Sequence, residues 1–161
     1  MIRSVPGPCD PLNIEEIVRS TGFFRKDEVL VAVELIEERL SKGVESGYEF
    51  LFAEIDGKTI AYSCYGLIPC TIHSYDLYWI VTHNDYRSRG IGRALLTETE
   101  KAVRNAGGQG IYAETSSKEQ YAPTRAFYEK NGYVLKARFK DFYDIGDDKC
   151  VYVKYLFQPG F

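Results

Sequence analysis

The chain has 161 residues, 45% of them hydrophobic and 27% charged, with a net charge of −3. This is the make-up of one globular domain with a single substantial core, and the acidic balance argues against nucleic acid as the main partner. No apolar run is long enough to span a bilayer, and the N-terminus lacks the charged-then-apolar pattern of a secretory leader, so no membrane partner and a cytoplasmic location are expected.

In chain order, residues 2–5 read as a short edge strand ended by Pro6-Gly7-Pro8. Asp10-Pro11 is a helix start, with Asp at the cap and Pro in the first turn, leading through 12–19 until Gly22 breaks the pattern. A longer helix is expected at about 27–40, with Val29, Val33, Ile36 and Leu40 at helical spacing, Glu34, Glu37, Glu38 and Arg39 on its polar side, and Gly43 closing it. Strands at 50–55 and 59–65 flank Asp56-Gly57, a strong hairpin signal. The strand at 75–82 contains Leu77-Tyr78-Trp79-Ile80-Val81 and reads as buried. Then comes a helix with Ile91, Leu95, Ala102, Val103 and Ala106 on one face, stopped by Gly107-Gly108. A strand at 110–115, a helix at 123–130 closed by Asn131-Gly132, and strands at 133–139 and 150–157 complete the chain. A polar turn through Gly146-Asp147-Asp148 joins the last two.

The four cysteines, Cys9, Cys64, Cys70 and Cys150, form no Cys-x-x-Cys pair, and Cys64 is expected as a small buried apolar residue. His73 and His83 are the only histidines and lie too far apart for a recognisable ligand motif, so no metal is expected.

The stretch with most chemistry is Arg87-Ser88-Arg89-Gly90-Ile91-Gly92-Arg93, set between the 75–82 strand and the following helix. A glycine-rich turn at a helix start leaves backbone N–H groups unpaired at the positive end of the helix dipole. That is a phosphate site, and the arginines add charge, although at least one of Arg87, Arg89 and Arg93 is expected to be plainly solvated. No Gly-Lys-Ser/Thr occurs, which excludes a Walker loop, and Ala94-Leu95 stand where a dinucleotide fingerprint wants its third glycine.

The loop resembles the R/Q-x-x-G-x-G/A signature of the GNAT N-acetyltransferases. Ala126-Phe127-Tyr128-Glu129-Lys130-Asn131-Gly132-Tyr133 resembles the family's F-Y-E-K-x-G-F/Y segment. The element order is the family's too. The resemblance therefore implies one domain over 1–161 of α/β class, with a mixed, mostly antiparallel central sheet flanked by helices. It also implies acetyl-CoA as cosubstrate with no metal, an amine acceptor on a small molecule or peptide, and room for a homodimer.

The implied roles follow residue by residue. Arg87, Ser88, Arg89, Gly90, Ile91, Gly92 and Arg93 would hold the pyrophosphate. The backbone of Ile80, Val81 and Thr82 would pair with pantetheine and polarise the thioester. Tyr128 would give the leaving thiolate a proton, or else simply pack against the cofactor.

Asp76 occupies the place of a catalytic glutamate in the histone-acetylating branch and is read as general base or as counter-charge for the acceptor amine. Glu114 is the next candidate, and His83 a titrating group just past the strand. The chain departs from the family at Tyr121, where Asn is common, at Thr82 and Asn84, and in a somewhat longer 116–120 loop. Tyr143 and Asp144, in an aromatic and acidic turn, are candidates for binding a polyamine, an amino acid or a peptide amine. The alternatives are an acetyltransferase for protein N-termini or lysines, and a silent acyl-CoA-binding module.

Overall fold

The computed structural model describes residues 1–156; Phe157, read as the end of the last strand, lies outside the described residues. The elements are β1 (Ile2–Arg3), α1 (Asp10–Ser20), α2 (Lys26–Lys42), β2 (Glu49–Ile55), β3 (Lys58–Leu67), β4 (Ser74–Thr82), α3 (Ile91–Asn105), β5 (Gly110–Ser116), α4 (Ala122–Lys130), β6 (Val134–Asp144) and β7 (Asp147–Tyr155). The strands form one mixed sheet in the order β1-β2-β3-β4-β5-β7-β6. β4 and β5 run parallel, whereas the β1–β2, β2–β3, β5–β7 and β6–β7 pairs are antiparallel. The residues gather into two compact units, 1–66 with 78–102, and 67–77 with 103 onward.

In the first unit, Asp56 and Gly57 take φ of 50° and 78°. That pair of left-handed residues makes the tight turn whose twist suits a two-residue hairpin, which is why Asp-Gly predicted it. One face of the β2–β3 hairpin presents Phe50, Phe52, Tyr62 and Cys64 to Ile14, Ile17 and Val18 of α1 and to Val29, Ala32 and Ile36 of α2. Each fully buried aliphatic side chain there contributes about 1.5–3 kcal/mol. On the other face, the Ser63 and Thr99 hydroxyls meet at 2.8 Å, and Thr99 also donates to the Leu95 carbonyl. A buried polar contact thus fixes α3 against β3.

Two expectations in this unit are corrected. Cys9, not Asp10, holds the cap position of α1. Asp10 is instead the first helical residue, buried, and its carboxylate accepts from the Gly7 N–H, the Asn13 amide and the Arg3 guanidinium. β4 is not a buried strand throughout: Leu77 and Val81 are buried, but Tyr78 is 37% exposed. A strand that leaves one face partly open can serve a ligand as well as a core.

In the second unit, β5 pairs with β4 on one side and with β7 on the other, and β6 is the last strand. The expected polar turn is mostly strand. Asp144 pairs with Asp147, so only Ile145 and Gly146 turn, and Asp141, Phe142 and Tyr143 belong to β6. A wide bulge sits in β6: from Phe139 to Asp144 the strand advances five residues while β7 retreats two, from Lys149 to Asp147. Asp148 holds this bulge, accepting from the Asp141 N–H at 2.9 Å and from Arg138 Nε at 2.7 Å. Asp141, at φ 53°, takes the left-handed conformation that lets the strand fold back into register.

Candidate active site

The phosphate loop begins where β4 ends. His83 N–H donates to the Ile60 carbonyl, and the His83 ring, 8% exposed, accepts from the Asp85 N–H through Nδ1. His83 therefore caps the short turn Asn84–Tyr86. Beyond it, Ser88 and Gly90 adopt φ of 62° and 79°. Ala94 N–H donates to the Gly90 carbonyl at 3.0 Å, the first bond of α3, so the N–H groups of Ile91, Gly92 and Arg93 have no intrahelical acceptor.

A side-chain carbon on Gly90 would meet no atom within 4 Å, so the space at this glycine, next to the donors, is open. Arg87 lies over the Phe23 ring and Arg89 over the Tyr86 ring, at 5.4 and 5.3 Å. With Arg93, they have no carboxylate counter-ion among the described residues. Unpaired donors, a helix dipole and three free guanidiniums match what a pyrophosphate needs. The residues present fit coenzyme A on that ground. Ile80, Val81 and Thr82 form the end of β4 that leads into this loop.

Tyr128 lies in the second unit, on α4, and is 5% exposed. Its ring packs on Tyr133 and Tyr152, at 5.5 and 5.8 Å between centroids. The Tyr152 hydroxyl donates to Glu129 at 3.1 Å, and the Tyr133 N–H donates to the Tyr128 carbonyl at 3.0 Å. The F-Y-E-K-N-G-Y segment thus works as a clasp that fixes one phenol. Burial pushes the Tyr128 pKa well above the ordinary value, so the hydroxyl keeps its proton and remains a donor.

Asp76 and Glu114 share one face of the β4–β5 pair: Asp76 stands opposite Tyr112, and Glu114 is two residues further along β5. Asp76 makes no hydrogen bond or ion pair among the described residues. Burial raises its pKa, the Glu114 charge raises it further, and the Lys149 charge opposes both. Glu114 is engaged, its Oε1 lying 3.0 Å from Lys149 Nζ. The Lys149 ammonium also lies 4.4 Å from the centre of the Phe142 ring.

Tyr143 belongs to this neighbourhood. Its hydroxyl is pushed up to about 12, by burial first and then by the charges of Glu114 and Asp147. Asp144 does not belong to it, because its carboxylate accepts from the Ile145 N–H and shapes the turn. In the sequence, Phe142 and Lys149 read only as members of the aromatic and acidic turn, and Tyr152 only as part of the last strand, none of them with a role. Phe142 lies inside the β6 bulge, which breaks the two-residue alternation of that strand, whereas Lys149 lies in regular register on β7, one residue before the strand start expected at 150.

The 116–120 loop is tied down from several sides. The Ser116 hydroxyl donates to buried Asp147, the Lys118 N–H donates to Ser116 Oγ, and Arg125 donates to the carbonyls of Ser116 and Lys118. Among the described residues no cluster of three or more His, Cys, Asp or Glu side chains could hold a metal ion.

The profile of the acetyltransferase (GNAT) domain matches residues 46–135. A solved structure of a GNAT-family protein from Desulfovibrio desulfuricans is 44% identical. It superposes with a TM-score of 0.95 over 96% of this chain and 98% of that one. The ribosomal-protein-S18-alanine N-acetyltransferase from Escherichia coli is 18% identical, with a TM-score of 0.75 over 99% of this chain and 96% of that one. The PaiA N-acetyltransferase from Thermoplasma acidophilum, solved with coenzyme A, is 20% identical, with a TM-score of 0.73 over 96% and 99% of the two chains. No curated sequence matches this one closely enough to count as a relative.

Proposed function

The chain belongs to the GNAT family of N-acetyltransferases, and from that premise we propose that it moves an acetyl group from acetyl-CoA directly to a primary amine of a small molecule or peptide. The observation that carries this reading is the start of α3, where three N–H groups have no intrahelical acceptor, Gly90 is unobstructed, and the arginines of the loop have no carboxylate counter-ion among the described residues.

Bound acetyl-CoA supplies an activated thioester. The chain's own residues supply the rest. The loop from Arg87 to Arg93 binds the pyrophosphate. The backbone at Ile80, Val81 and Thr82 pairs with the pantetheine arm and offers an N–H to the carbonyl oxygen as it gains negative charge. Asp76 takes the proton that the attacking amine must lose, a task suited to a carboxylate raised above its ordinary range. Tyr128 donates to the departing sulfur. The burial that holds its proton also disfavours a bare thiolate nearby, which helps the transfer.

The test is release of the CoA thiol from acetyl-CoA across amino acids, polyamines, aminoglycosides and short peptides. Amine-dependent release is expected. Tyr128→Phe should lower kcat about a hundredfold, at the low end for loss of a general acid, with acetyl-CoA affinity little changed. Gly90→Leu should abolish the calorimetric heat of acetyl-CoA binding, because the residue is strained at a φ of +79° and fills the open space. Tight cofactor binding without release to any amine would favour the silent-binder reading instead.

A further inference from the structure

The β5–β7 face holds a cation of its own. Lys149 pairs across the ladder with Ser116 of β5 and with Phe139 of β6, and its side chain reaches back to Glu114. Its side chain is 18% exposed, with the ammonium 3.0 Å from Glu114 Oε1 and 4.4 and 5.9 Å from the ring centres of Phe142 and Phe139. Carboxylate on one side and aromatic faces on the other are the surroundings an acceptor ammonium would seek.

The neighbouring acids are likewise matched. Asp147 faces Lys118 at 3.9 Å and accepts from Ser116, and Asp148 accepts from Arg138. Asp76, half-buried on the same face as Glu114, forms no ion pair or hydrogen bond among the described residues.

We propose that Lys149 is a specificity-determining residue: its ion pair is with Glu114, which leaves Asp76 as the carboxylate of the two without an ion-pair partner, so the acceptor is an amine carrying one positive charge. This rests on the reading of Asp76 as the acceptor-side carboxylate. A second ammonium on the acceptor, as in a diamine or polyamine, would find Lys149 already in the seat and be repelled by it. Without that ammonium, Glu114 becomes free to take a second cation. One additional charge pair several ångströms apart in a partly wet site changes binding by about tenfold.

The experiment measures kcat/KM for n-butylamine and 1,4-diaminobutane, and for glycinamide and lysinamide, with wild type, Lys149→Gln and Lys149→Arg. Each pair differs by one positive charge. Wild type and Lys149→Arg should favour the singly charged member of each pair. Lys149→Gln should shift the ratio about tenfold toward the doubly charged member. A melting temperature like the wild type's in Lys149→Gln checks that the ratio reports the site and not a loosened hairpin. An unchanged ratio in an active, folded Lys149→Gln, or a wild type that prefers diamines, would overturn the charge filter and leave the acetyltransfer reading standing. Absence of amine-dependent release from every variant, wild type included, would overturn both.

Discussion

Asp76 is set apart by what it lacks, an ion-pair partner among the described residues. Burial and the nearby Glu114 charge both disfavour its ionised form, and Lys149 only partly offsets them. Its proton is therefore lost above the ordinary aspartate range near ~3.9. If Asp76 is the base, it works only when ionised, so kcat/KM rises with pH through that raised value and levels off above it. Asp76→Asn should lower kcat about 10²-fold or more and remove this acidic limb from the pH profile. A variant with unchanged kcat and a raised KM for the amine would make Asp76 a counter-charge. Glu114, by contrast, is engaged in an ion pair with Lys149.

Among the elements, α1 depends on an interaction its helical pattern does not contain. Arg3 of β1 donates to buried Asp10 at 2.6 Å and to Glu54 of β2 at 2.5 Å, with its guanidinium 4.2 Å from the Phe52 ring centre. A strand of two residues is thereby joined to a helix and to its neighbour in the sheet. Asp10→Ala should lower the unfolding free energy by about 3 kcal/mol, the lower end for breaking a pair with a buried member, measured by urea denaturation at neutral pH. The sequence placed this helix correctly and misassigned its first carboxylate, because an Asp beside Pro predicts a cap equally well whether or not a distant arginine claims it. In the same way Asp-Gly announced the β2–β3 turn through purely local conformational preference. The β6–β7 turn was misplaced because Asp148 pins the bulge through contacts seven to ten residues away, invisible to a local pattern.

For the whole molecule, the acid response follows from Asp10. Burial pushes its carboxyl up, but Arg3, the Gly7 N–H and Asn13 together hold it below the ordinary value. Its contribution to stability is present above the unfolded-state value near ~4 and is lost as pH falls through the lowered folded value. The wild type should therefore lose stability steeply below about pH 4, and Asp10→Ala less so, in denaturation series at stepped pH. The order of elements and the two motifs were legible in the sequence because both rest on spacing along one segment. Which carboxylate lacks a partner was not, since that depends on cross-strand register.

The bulge in β6 has a consequence away from chemistry. β6 is the last strand of the sheet, mostly exposed, with Val134, Leu135, Phe139 and Phe142 all more than 40% accessible. A long, flat, apolar border of that kind invites further strands from other molecules and can seed aggregates. The kink around Asp141, with Lys136 and Lys140 exposed along the same strand, breaks the flatness such stacking requires. The irregularity that sets Tyr143 and Phe142 beside Glu114 and Lys149 also keeps the sheet finite.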